Sequence, residues 1–167
     1  MPLQLIIGNK NYSSWSMRPW LAMKVAGIAF QETLISLDAP DFKAQVKARS
    51  AAGKVPVLID GDTHVWESLA ILEYLAEKFS GLWPVDERAR AHARAIAAEM
   101  HAGFQPLRRH LPMNIRRPVK RRALDQGSTV DAARSLAAVT RFCTAPFVQR
   151  TPCTRRSCGA FTPTRSR

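Results

Sequence analysis

Residues 3–8 form a short apolar run closed by Gly8, the mark of a buried strand. Residues 9–14 are polar and predict a loop. Ser16-Met17-Arg18-Pro19 has the marks of a helix start, since serine is a good N-cap and proline is tolerated in a first turn. Trp20, Leu21 and Val25 keep a helical spacing to Ala26, and Gly27 is a natural stop. Residues 30–37 alternate as a second strand, and residues 41–48 predict a short polar helix or loop. Residues 55–59 read as a third strand, Asp60-Gly61-Asp62 as a hairpin turn, and residues 63–66 as a fourth strand. Ser68 then caps an amphipathic helix with Leu69, Leu72, Tyr74, Leu75 and Phe79 on its inner side.

The order β-α-β-α-β-β-α within residues 1–80 is that of a thioredoxin-like α/β domain. Residues 81–86, opening with Gly81-Leu82-Trp83-Pro84, read as a linker. Asp86 and Glu87 at one end, and Arg108 and Arg109 at the other, suit the dipole of one long alanine-rich helix over 87–110. Residues 87–123 are therefore expected to form a partial all-α second domain. Residues 124–142 have room for one further helix. Taken whole, however, 124–167 is an atypical basic tail, and its weak periodicity and Thr, Pro and Arg content predict disorder.

Charge sharpens this division. The 167 residues carry a formal net charge of +12. Residues 1–80 hold eight basic and eight acidic side chains, whereas residues 116–167 hold twelve basic and two acidic ones. Such a break places the two ends under different constraints. Cys143, Cys153 and Cys158 all fall in the late segment, with no Cys-x-x-Cys pair and no zinc-ligand spacing, so no metal is expected. No apolar run reaches membrane-spanning length and no secretory signal opens the chain, so a cytoplasmic protein without membrane association is expected. The basic tail lacks a reader motif, so nucleic acid is not expected as a partner beyond non-specific contact.

Three places carry chemistry. At the first strand-to-helix turn, Ser13-x-x-Ser16 sets hydroxyls where redox thioredoxins set cysteines. Disulfide exchange by the protein itself is excluded, because it needs a thiolate. A hydroxyl at a helix N-terminus can instead donate to a bound thiolate. Lowering a thiol pKa from about 8.5 by about two units needs roughly 2.7 kcal/mol. One hydrogen bond to a charged group contributes about 1.5–3 kcal/mol, and a helix dipole adds roughly 0.3–1 kcal/mol. The same serines also serve as plain caps. The second place is Lys54-Val55-Pro56, where a cis proline would expose the backbone of Val55 as an edge for a peptide ligand. The third is Glu67-Ser68 at a helix N-terminus, where free N–H groups bind a carboxylate and Glu67 can take an ammonium.

From Gln4 to about Arg116 the chain resembles bacterial glutathione S-transferases. The resemblance is carried by IGNKNYSSWSMRPWLAMKVAGI, then GKVPVLIDGDTHVWESLAILEYLAEKF, then GLWPVDERARAHARAIAAEMHAGFQPLRRHLPMNIR. Ser-Ser-x-Ser-x-Arg also resembles the zeta class, the maleylacetoacetate isomerases, with Trp15 at that motif's cysteine position. The resemblance implies glutathione as substrate or cofactor, conjugated to a small electrophile. It implies Ser13 as the thiolate-stabilising hydroxyl, with Ser14 second. Val55, next to Pro56, would pair with the cysteinyl part. Glu67 and Ser68 would hold the γ-glutamyl group, and Lys54 would serve the glycine carboxylate. Trp15, Met17, His101, Phe104 and Met113 become candidates for the electrophile pocket. Arg108, Arg109, Arg116 and Arg117 would favour an acidic substrate. A homodimer of the family type is implied as well. The alternatives are a zeta-like isomerase and a non-catalytic glutathione-binding or interaction module. After about residue 123 the likeness fades, and an internal deletion with a change of frame is the expected cause.

Overall fold

The strand β1 (Leu3–Ile7) carries the fold because it is buried on both faces. Successive side chains of a strand point to opposite faces. Leu3, Leu5 and Ile7 accordingly join Met23, Ile28, Leu58, Ile71 and Leu75 in one cluster. Ile6 joins Ile35, Val46 and Val57 in another. A strand covered on both sides reads as a continuous apolar run, which is the pattern of residues 3–8.

The computed structural model describes residues 2–118 and 120–144. In chain order the elements are β1, α1 (Ser14–Val25), β2 (Phe30–Leu34), α2 (Phe42–Lys47), β3 (Val57–Asp60), β4 (Thr63–Trp66), α3 (Ser68–Lys78), α4 (Glu87–Ala102), α5 (Gln105–His110) and α6 (Gln126–Thr144). The sheet order is β2-β1-β3-β4. β2 runs parallel to β1, with Leu5 opposite Glu32, while β3 is antiparallel to both β1 and β4. The parallel pair needs a crossover, which α1 supplies. This is the thioredoxin-like order that the periodicity predicts, followed by helices.

Several boundaries differ from the sequence reading. Helix α1 starts at Ser14 and is capped by Ser13, not Ser16, because the polar loop turns back on itself through Ser13 N–H to Asn9 O at 2.8 Å. β2 ends at Leu34, three residues early, and β3 begins at Val57, after Pro56. The buried row of α3 runs through Ser68, Ile71 and Leu75, whereas Leu69, Leu72, Tyr74 and Phe79 are only half-buried.

The single helix expected over 87–110 is two. Phe104 takes a left-handed conformation (φ 66°, ψ 33°) between α4 and α5. Pro106 has no N–H to continue the ladder, and its ring would clash with the carbonyl four residues back. Gly103 is needed at the break, since a Cβ there would meet the backbone oxygen of Glu99 at 2.9 Å.

Of the two readings of the late segment, residues 126–144 follow the one that left room for a helix over 124–142, and form α6. Its first turn is fixed by Asp125 Oδ1, which accepts the Ser128 N–H at 2.7 Å. Asp131 is buried and accepts the Leu107 N–H of α5 at 3.2 Å. Arg134 reaches Glu99 of α4 at 3.0 Å and lies over the Phe104 ring. Residues 145–167, with Cys153 and Cys158, lie outside the described residues. None of the described helices is long and apolar enough to cross a membrane.

Two outcomes test this packing. Leu58→Ala, which empties a fully buried site between both sheet neighbours, is expected to lower unfolding free energy by about 2–5 kcal/mol in urea. Asp131→Ala is expected to cost about 1–3 kcal/mol and to speed proteolysis within 111–125 while leaving cleavage in residues 2–80 unchanged.

Candidate functional site

The turn between β1 and α1 places three hydroxyls in a row. Ser13 is 8% exposed, and its O–H donates to Ser16 Oγ at 2.8 Å. The same Ser13 Oγ accepts the Ser16 N–H at 3.3 Å, which is the helix cap. Ser16, also buried, accepts the Gly8 N–H at 3.1 Å. Ser14, half-buried at the first helical position, makes no side-chain hydrogen bond among the described residues. The loop is anchored from outside by Asn9 Oδ1, which accepts the Leu37 N–H at 2.7 Å.

The Val55–Pro56 bond is cis. Val55 lies just before β3, beyond its ladder, and comes within reach of the first turn: a Cβ on Gly8 would stand 3.2 Å from Val55 Cγ2.

At the third place Glu67 precedes α3 with φ 68° and ψ 125°. A non-glycine residue there costs on the order of 1–3 kcal/mol, and such strain gathers at ligand clamps. Ser68 Oγ is buried with no hydrogen-bond partner. A buried hydroxyl without a partner is uncommon and points to a missing ligand group or water. Across from it, His101 Nε2 lies 3.5 Å from Glu67 Oε2, while His101 Nδ1 is buried and unpartnered.

Two adjoining cavities join these places. The smaller, about 270 Å³, is lined by Trp15, Lys54, Val55, Pro56, Trp66, Glu67, Ser68 and His101. The larger, about 740 Å³, is lined by Ser13, Ser14, Trp15, Lys54 and Val55 on one side and by Phe104, Leu107, Arg108 and Met113 on the other. Trp15, Lys54 and Val55 border both. The larger is mostly apolar, with Leu37, Phe42, Met100 and Leu111 completing its walls.

Most residues singled out from the sequence therefore come together. Five do not sit where expected. Arg109, Arg116 and Arg117 line neither cavity, and the last two border a separate one beside Tyr12 and Asn114. Met17 lines neither cavity, because the helix turns it away from the first-turn face that Ser13 and Ser14 present. His101 borders the smaller cavity beside Glu67, not the apolar one; the stop of α4 at Ala102 sets it against Trp15, with ring centroids 5.2 Å apart.

Two features escaped sequence reading. Ser16 is a partner of Ser13, not the cap; the Ser-x-x-Ser spacing was the available signal. Arg18 and Arg108 both lie over the Trp15 ring, at 4.2 and 4.5 Å from its centre. Burial, together with Arg108, lowers the Arg18 pKa to about 10. Burial also lowers that of Arg108, against the opposing pull of Asp131. Arg108 is tied down by donating its Nε–H to Gly103 O at 3.0 Å and an Nη2–H to Met100 O. Among the described residues no group of three His, Cys, Asp or Glu side chains could hold a metal.

Known proteins are similar to this chain in sequence and in fold. Residues 12–78 match the family model described as glutathione S-transferase, N-terminal domain. A probable maleylacetoacetate isomerase of Caenorhabditis elegans is 38% identical over 96 residues, which cover 56% of this chain and 44% of the relative. A solved maleylacetoacetate isomerase from Methylobacterium extorquens, with bound malonate and GSH, is 39% identical with a TM-score of 0.54, over 62% of this chain and 50% of that one. A Burkholderia glutathione transferase homolog with bound glutathione superposes at a TM-score of 0.61 over 90% of this chain and 96% of its own, but at 19% identity it speaks for the fold alone. The chain spans less than half the length of the first curated relatives it matches. Residues 12–78, in which the hydroxyl turn, the Val-Pro edge and the Glu-Ser helix start converge, are thus similar to the N-terminal domain of glutathione S-transferases.

Proposed function

We propose that the chain binds glutathione as a substrate and delivers its sulfur as a thiolate to a small electrophile, as a glutathione transferase. The observation that carries this reading is the unpartnered, buried Ser68 Oγ at the N-terminus of α3, in a cavity continuous with the hydroxyl turn of α1. An α-carboxylate suits that helix end, where free N–H groups and the dipole favour negative charge. Glu67 stands ready for the ammonium on the same carbon. The Val55 backbone then takes the cysteinyl unit, and Lys54, exposed at the rim, faces the glycine carboxylate.

The sulfur would lie at the start of α1. Of the two hydroxyls lining the larger cavity, Ser13 is held on its inner side by Ser16, whereas Ser14 is a free rotor. The Ser13 oxygen is held in place by the Ser16 N–H, so only its proton has to turn to meet a thiolate, and Ser13 is assigned as the donor. It acts as a donor throughout and never as a base. The apolar walls from Leu37 to Leu111 fit a small electrophile beside it.

A zeta-like isomerase is the second reading, favoured by the maleylacetoacetate isomerases among the relatives. Both reactions need the same thiolate. Trp15 in place of the zeta cysteine favours conjugation.

Ser13→Ala is expected to lower conjugation of a chloronitrobenzene at neutral pH roughly 10- to 100-fold, the factor that one to two pKa units imply. Glutathione affinity by calorimetry should change by less than about threefold, well under one such hydrogen bond. If Ser14→Ala gives the larger loss, the donor is Ser14. Glu67→Gln and Ser68→Ala are expected to weaken glutathione binding by about tenfold each, on the scale of one lost charge-assisted hydrogen bond. Unchanged affinity in both would remove the γ-glutamyl assignment.

A further inference from the structure

We infer that Ser16 is a positioning residue that frees the Ser13 proton for a thiolate by donating its own proton to Ser13 Oγ. The inference rests on the glutathione reading above, with Ser13 as the donor.

A hydroxyl has one proton and two acceptor sites. Hydroxyl protons turn to suit their partners; with the Ser13 proton on Ser16 Oγ, 2.8 Å away, Ser13 can offer the cavity only an acceptor face. An acceptor face repels a thiolate. Ser16 meanwhile accepts twice, from Gly8 N–H and from Ser13 O–H, and its own proton has no acceptor among the described residues.

Rotation of both hydroxyls about their C–O bonds exchanges the roles at the same 2.8 Å separation. Ser16 then donates to Ser13. Ser13 accepts from both the Ser16 O–H and the Ser16 N–H, and its own proton becomes free to enter the cavity. With an anion there, both protons of the pair are donated and both acceptor sites of Ser13 are filled. No heavy atom moves, neither serine loses its proton, and the proton of the thiol leaves to water.

Two observations make Ser16 fit this role. It is 1% exposed, so no solvent competes for its proton. Its oxygen is held by the Gly8 N–H at the end of the buried strand β1, so it cannot drift from Ser13. A chain of donors in which Ser16 polarises Ser13 also strengthens the terminal bond, since hydrogen bonds in series reinforce one another at low dielectric.

The test is the acidity of bound glutathione, read from the ultraviolet band of its thiolate across pH. It is compared in the full chain and in Ser13→Ala, Ser16→Ala, Ser16→Thr and the double Ser13→Ala/Ser16→Ala variant. Binding of S-methylglutathione, which has no thiol, reports an intact site. Where Ser16→Ala fails this control, Ser16→Cys serves, because a thiol donates weakly at similar volume. Expected are a rise of one to two pKa units for Ser13→Ala and a smaller rise of about half to one unit, a three- to tenfold change, for Ser16→Ala. The double variant should rise no further than Ser13→Ala, and Ser16→Thr should restore the original value. If Ser13→Ala raises the acidity constant's pKa but Ser16→Ala does not, the relay is overturned and the donor role of Ser13 stands. An effect of Ser16→Ala that persists in full without Ser13, or that Ser16→Thr fails to rescue, also overturns it. No change in Ser13→Ala removes the underlying reading itself.

Discussion

Burial of β1 on both faces is the constraint on which the remainder hangs. Leu5, Ile6 and Ile7 are fully buried and point alternately into two clusters. The strand can neither slip by one residue nor tilt without exposing one cluster. Its end is therefore fixed in space, and with it Gly8, whose N–H has no strand partner and finds Ser16 Oγ instead. The position of the hydroxyl turn follows from hydrophobic packing several residues upstream. The same core fixes the other edge of the site, since Val57 and Leu58 of β3 pair with Ile6 and Leu5. Val55 then stands two residues outside that pairing, beside the turn.

The seam between the two helical layers is electrostatic as well as apolar. Trp15 stands where both cavities meet, under two guanidiniums and against an imidazole edge. An aromatic face attracts cations, by about 0.5–2 kcal/mol as the site dries out. Burial strips Arg18 of water, and Arg108 repels it across this ring, which is why the Arg18 pKa falls. Arg108 recovers part of its lost hydration from the carbonyls ending α4, where a cation suits the helix dipole. Of these positive groups, Arg108 lines the larger cavity together with Lys54, and no acidic residue does. That balance favours a thiolate over a thiol in the space between them.

Much of this could be read from the chain before any coordinates. The unbroken run of β1, the Gly61 turn and the periodic α3 made the sheet order legible, because local propensity and burial agree there. Ser13, Ser14, Lys54, Val55, Pro56, Glu67 and Ser68 were legible as a set because each sits at an element boundary, where backbone groups are left free. What failed did so for identifiable reasons. The first helix has two serines able to cap it, and only the loop's own hydrogen bond to Asn9 O decides for Ser13. In the stretch over 87–110, end charges outweighed Gly103 and Pro106 in the reading, although one proline inside a helix costs about 3 kcal/mol, more than any dipole contribution. Met17 and His101 were misassigned because side-chain direction depends on where a helix begins and ends, to within a residue.

Helix α6 shows how composition misleads when a mixed segment is averaged. Helix α5 has six residues, far fewer than an isolated helix needs in water. Yet α5 carries Leu107 and Arg108, the far wall of the larger cavity. What holds it is the segment read as tail. Asp131 takes the Leu107 N–H, Gly127 lets α6 approach Pro106 to where a Cβ would stand at 3.1 Å, and Asp125 meets His110 at 3.1 Å. The Asp125 carboxyl sits below its ordinary range, chiefly because it accepts the Ser128 N–H at the start of α6, with His110 and Arg109 adding to the effect. One carboxylate thus caps α6 and faces the end of α5, coupling the two helices. The α5 wall of the larger cavity is thus held in place from outside the first domain, by the stretch that composition set apart.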